Sequence, residues 1–219
     1  MSIANANNET ITGNHFLNNG AAIWLSNSSH DTISGNEIDS AVPNGIEVFD
    51  NSNYNLMGSN LINGVAATDT SGGGVYLHGA NNNTIPHNVV KNTGGVGIGI
   101  LNWDNVTINL GNTVSFNDIM NTGTASPYDA GAIYLLGRAQ IDTGTVVNNN
   151  RIFKAGASHS VAVYMDGYES GVSGQCHDVT EYRGIGGAGA EFVGFLRYRV
   201  EPREFQQSVL GYRRGGVSK

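Results

Sequence analysis

Six short segments of this chain place apolar residues at alternate positions: Ile23-Trp24-Leu25, Ile46-Glu47-Val48, Val75-Tyr76-Leu77, Ile98-Gly99-Ile100, Ile133-Tyr134-Leu135 and Val163-Tyr164-Met165. Alternation over so few residues predicts short strands with one face buried. Upstream of each lie a polar run, an alternating stretch such as Thr10-Ile11-Thr12, and a dipeptide ending in Asn. That dipeptide recurs as Gly13-Asn14, Gly35-Asn36, Ser59-Asn60, His87-Asn88, Gly111-Asn112 and Asn149-Asn150. Self-similarity at a period of roughly 20 to 30 residues, built of short strands and Asn/Gly turns, predicts an all-β solenoid of about six or seven rungs. No helical period competes with it before the C-terminal tail.

The physics of one rung accounts for its residues. Alternate side chains of a strand point the same way, so Ile23 and Leu25, Val75 and Leu77, and Ile133 and Leu135 enter a shared core. Coils stacked about 4.8 Å apart set like residues above like. The six Asn residues are therefore expected to form one internal ladder, the Gly before them supplying left-handed backbone where a Cβ would clash. Stability then accumulates rung by rung.

Rung lengths vary, and the extra residues fall just before the apolar strand, at Ala41 to Asn44, Val65 to Gly73, Thr122 to Ala130 and Ala155 to His159. Loops gathered at one corner make walls, and the neighbouring strands make the floor of a groove. If Ile23 and its counterparts point inward, Trp24, Glu47, Tyr76, Gly99, Tyr134 and Tyr164 form one outward column. Ser26, Phe49, His78, Leu101, Leu136 and Asp166 form a second. Rings beside carboxylates suit a polysaccharide, whose C–H faces stack while its hydroxyls bond to polar groups. Trp24, Glu47, Phe49, Tyr76, Trp103 and Tyr164 are the candidate substrate-binding residues, and Gly99 is expected to leave a gap for a sugar ring. The competing expectation is that loops cover the aromatics as a second small core.

The formal charge is −7 over 219 residues, with Lys and Arg sparse through the first 170. Nucleic acid and anionic membrane are thereby disfavoured as partners. No apolar run approaches the roughly 18 residues of a membrane span, and Met1 to Thr10 lacks the charged-then-apolar pattern of an export signal. Cys176 stands alone, so disulfides play no part. Asn is absent from Arg151 to Lys219, Arg becomes frequent after Arg183, and the repeat fades after about Ser173. Residues 1–172 read as the solenoid and 173–219 as an irregular tail. Two readings of that tail stand: a cap in which Pro202 opens a short helix with Phe205 and Val209 on one face and Gly211 at its end, or a frame-shifted or truncated segment. Open strand edges make end-to-end self-association an expectation.

Thr-Ile-Thr-Gly-Asn at 10–14, Thr-Ile-Ser-Gly-Asn at 32–36 and Gly-Ala-Ile-Tyr-Leu at 131–135 resemble the repeats of right-handed parallel β-helix proteins. That group includes pectate-lyase-like enzymes, mannuronan C5-epimerases and several glycoside hydrolases. The resemblance covers roughly residues 5 to 172 and implies a right-handed, single-stranded β-helix, an extracellular or periplasmic setting, and action on a polysaccharide, acidic in the lyase and epimerase types. Such chemistry neutralises the substrate carboxylate, removes the C5 proton and returns a proton, tasks for Arg, Lys or Ca²⁺ and for His and Tyr. His78, Tyr134 and Arg138, flanked by Asp129 and Asp142, are the candidates.

The Asp-Pro-His-Glu run of the epimerases is absent; Ser126-Pro127-Tyr128-Asp129 comes nearest and lacks the His and the Glu. No Asp-rich nonapeptide Ca²⁺ repeat occurs, and no metal ligands are assigned. A glycoside hydrolase would instead need two carboxylates, about 5 Å apart for retention, which Asp129, Asp142 and Asp166 could supply. A non-catalytic carbohydrate-binding or structural solenoid is the third class. His15 and His30 read as surface or turn residues, His87 as a turn residue before Asn88, and His159 as a candidate base near Asp166.

Overall fold

The computed structural model of the chain describes residues 1–68, 72–104, 106–125, 130–137, 144–155, 160–167, 173–180 and 196–199. Among these, every regular element is a strand, and no helix is long and apolar enough to cross a membrane.

The alternating segments form three faces of a parallel solenoid. The first face is a seven-stranded sheet running through Ser2–Ala4, Ile23–Ser26, Ile46–Phe49, Gly73–His78, Val96–Leu101, Ala130–Gly137 and Ser160–Gly167. The second runs from Thr10–Thr12 through Thr32–Ser34, Leu56–Gly58, Thr84–Pro86 and Thr113–Ser115. The third runs from His15–Leu17 through Glu37–Asp39, Leu61–Asn63, Val89–Lys91 and Asp118–Thr122. Both of these faces reach the long strand Val146–Ala155, which serves them in turn. Parallel pairing continues past residue 172, where Ser173–Thr180 lies beside Val146–Ala155 and Leu196–Arg199 pairs with it antiparallel. The helix expected from Pro202 to Gly211 lies outside the described residues.

Register sets like above like. Ile23, Ile46, Val75, Ile98, Ile133 and Val163 form one inward stack; Ile33 and Met57, and Ile38, Ile62, Val90 and Ile119, line the other two faces. The first five of the first stack are wholly buried, each such side chain contributing about 1.5–3 kcal/mol.

The corners are held by Asn. Asn14, Asn36, Asn60, Asn88, Asn117 and Asn150 form a ladder in which each Oδ1 accepts the backbone N–H of the preceding Asn at 2.9–3.1 Å and its amide N–H at 2.9–3.1 Å. A second ladder runs through Asp31, Asn55, Asn83 and Asn112 at the entry to the second face. The expectation of one ladder containing Asn112 is thus corrected. Gly111 precedes a second-face strand, whereas the true corner uses Phe116 in left-handed backbone at φ 56°, a place the Gly-Asn pattern does not reveal.

Successive ladder residues are 22, 24, 28, 29 and 33 apart, yet register is kept because additions collect at corners. The inserted stretches before the first face stack on one another, Ala66 N–H donating to Ala41 O, Gly94 N–H to Val65 O and Ala125 N–H to Gly94 O. A column of small residues adjoins them. At Gly74 a Cβ would lie 2.5 Å from Val90 Cγ1, and at Gly97 one would lie 2.5 Å from Ala132 O and 2.6 Å from Ile119 Cγ2.

Candidate functional site

Outward positions of the first face align as the alternation predicts. Trp24, Glu47, Tyr76, Gly99, Tyr134 and Tyr164 are consecutive partners across the sheet. Ser26, Phe49 and His78 neighbour them, with Leu101, Leu136 and Asp166 beyond.

The column divides in two. Toward the later rungs Val96, Leu101, Tyr134 and Leu136 form a buried apolar cluster, with Tyr76 and Tyr164 packed against it. Tyr134 is only 5% exposed and stacks on Tyr164 with centroids 4.8 Å apart. The gap expected at Gly99 is filled: Gly99 is buried, and a Cβ there would meet Val96 Cγ2 at 3.1 Å and Leu101 Cδ1 at 3.3 Å. Bulky side chains on either side of a glycine close the space that its own missing side chain leaves.

Toward the earlier rungs the face is open. Trp24, Glu47, Phe49, Tyr76 and His78 are all half-buried. Asn44, in the first inserted stretch, accepts the Gly73 N–H through Oδ1 at 2.6 Å and donates its amide to Glu47 Oε1. Asn44 thereby ties the Glu47 carboxylate to the corner, while Trp24 and Tyr76 flank Glu47 in register. Phe49 lies against both Tyr76 and His78, with ring centroids 5.9 and 5.6 Å away.

A second wall comes from residues 102–104 and 106–109, between the first and second faces. Asn102 donates to Thr107 O and accepts from the Asp104 N–H. Asp104 Oδ1 accepts the Val106 and Thr107 N–H groups at 2.8 and 2.5 Å, and its Oδ2 accepts the Thr107 hydroxyl. These bonds, the hydroxyl's foremost, pull the exposed Asp104 carboxyl down to about 2, with His78 adding a smaller share. The turn so fixed folds back over the preceding rung. Trp103 Nε1 donates to the Tyr76 hydroxyl at 3.0 Å, and His78 Nε2 lies 3.7 Å from Asp104 Oδ2. His78 Nδ1 is buried and makes no hydrogen bond. Burial pushes the Tyr76 phenol above its ordinary value, and the bond from Trp103 opposes this.

The family whose model describes a right-handed β-helix region matches residues 1–119, more than half of the chain. The chain belongs to this right-handed β-helix family. A comparison with curated proteins finds no match. The matched part of the β-helix includes all of the open face from Trp24 to Asp104.

Among the catalytic candidates, the β-helix brings His78 to the open face and sets Tyr134 inside the apolar cluster. Asp129, Arg138, Asp142 and His159 lie outside the described residues, and Asp166 is placed only by its backbone, opposite Leu136. Asp104, as the partner of His78, is missed by the alternation because it stands on a turn; the signal is the Asx turn that Asp104 makes with Val106 and Thr107. A further polar group occupies the third face. His15, Glu37 and Asp39 bring donor atoms within 4.8 Å of one another, His15 Nε2 lies 3.1 Å from Asp39 Oδ2, and Asn63 donates to Asp39 Oδ1 at 2.9 Å. Among the described residues, this exposed group rather than the first face gathers the donors a cation would need. His30 and His87 occupy left-handed turns at φ 62° and 57° and stack on Tyr54 and Phe116.

Proposed function

We propose that the open half of the first face binds a polysaccharide chain. The observation that carries this reading is Trp103, half exposed yet anchored through Nε1 to Tyr76, whose ring lies against Phe49. Rigid, partly exposed aromatics offer sugars a stacking surface at little entropic cost, and a large exposed ring is otherwise costly on a soluble surface. Glu47, Asn44, His78 and Asp104 border the rings and supply donors and acceptors for hydroxyls. The test is titration of the purified chain with oligosaccharide panels. Trp103→Ala is expected to weaken the best ligand about tenfold or more, while an unchanged affinity would remove this face from the site.

The His78–Asp104 pair favours a second reading, turnover of the lyase or epimerase type. Asp104 stays anionic and would stabilise a protonated His78 after it takes a proton. That chemistry also asks for a cation against the uronate carboxylate; Lys91 and Arg151 stand in strands of the third face, and Arg197 and Arg199 in the last strand described. Release of unsaturated products that stops in His78→Ala is the expected sign of turnover; binding without product leaves a binding module.

A further inference from the structure

We infer that the sugar selected by this face carries a protonated amine, so that the ligand is a glucosamine-type polymer rather than a uronate. The inference rests on the polysaccharide-binding reading and deepens it.

Glu47 sits in register between two outward rings, paired with Trp24 on one side and Tyr76 on the other. The strand that carries each ring is therefore one spacing, about 4.8 Å, from the carboxylate's own strand. Asn44 holds one carboxylate oxygen from the side; the other accepts no hydrogen bond from a described residue. A carboxylate flanked by aromatic residues suits an ammonium group: the charge pairs with the carboxylate while its polarised hydrogens lie on the rings. A uronate at the same place would set its carboxylate against Glu47.

The wall repeats this chemistry. Asp104 stands next to Trp103, which is tied to Tyr76, and its turn keeps it ionised over the whole working range. The long-range field agrees. Residues 1–172 carry thirteen Asp and Glu against four Lys and Arg, so approach of a polyanion is slowed and that of a polycation is steered.

The experiment measures affinities of the full chain for glucosamine oligomers, neutral gluco-oligomers of equal length, oligogalacturonate and oligolysine, with wild type and Glu47→Gln. The amide keeps the shape of the side chain, and circular dichroism confirms the fold of the variant. The expected result is tightest binding of the glucosamine oligomer, weakened about tenfold in Glu47→Gln, a clearly larger loss than the neutral oligomer suffers from the same substitution, with amine binding lost as pH rises past the amine's own pKa. Equal or tighter binding of the neutral or uronate oligomer overturns the inference and leaves the polysaccharide reading standing. Oligolysine binding as tightly, with Glu47→Gln unchanged, reduces the effect to net charge and also overturns it. No binding by any glycan overturns both.

Discussion

Asp31 occupies the place in the second ladder that Asn55, Asn83 and Asn112 fill in later rungs. Those amides donate to the Ser28, Ser52 and Ala80 carbonyls. A carboxylate has nothing to donate, and Asp31 Oδ2 is buried without a partner. Burial is the main cause raising its carboxyl above the ordinary 3.8, the Glu9 N–H pulling the other way. A raised value means that the folded chain holds the proton more tightly than the unfolded one. The group's contribution to stability is thus full below about pH 4 and is lost as pH rises through the folded value. Asp31→Asn is expected to gain about 1 kcal/mol at neutral pH, an advantage that shrinks as pH falls through the folded value of Asp31; equal melting temperatures of variant and wild type at pH 7 would contradict this. At the same scale the outward columns were legible because alternation fixes direction once one inward residue is known. The closure at Gly99 was not, because it depends on how Leu101 and Val96 lean, and the switch from Asn112 to Asn117 was hidden by a Phe in a left-handed turn.

Between rungs, the ladder and the glycine column make opposite demands on a side chain. Asn88 accepts from the Asn60 N–H and amide and donates to Met57 O and Asn117 Oδ1, so Asn88→Ala breaks four buried side-chain bonds and is expected to cost about 3 kcal/mol. Asn14, at the exposed end, accepts no bond from an earlier rung, and Asn14→Ala should cost well under half as much; denaturant midpoints of the two variants decide. Gly97→Ala adds a methyl where Ala132 O and Ile119 Cγ2 already stand, an overpacking worth about 1–3 kcal/mol that should appear as a lowered midpoint at unchanged m-value. The strands and the insertions before the first face could be read from pattern and length. The wall at 102–109 could not, because its shape comes from side chains capping backbone at Asn102 and Asp104, which leaves no apolar rhythm.

Across the whole molecule the fold was legible because each rung states it again, so an irregular rung is outvoted by its neighbours. The site has no such redundancy: Trp103 and Asp104 reach Tyr76 and His78 through a single turn, and no other described rung repeats it. The register of the rungs means that bonds of the sheets and ladders run from winding to winding, across the chain's path rather than along it. Val106, 84% exposed on the 102–109 turn, is where this can be tried. A chain nicked beside Val106 would leave its halves joined through Asn83 with Asn112 and Asn88 with Asn117. The nicked protein should elute from a sizing column as one body and separate only in denaturant, behaving less like a cut string than like a stack of plates from which no plate has been removed.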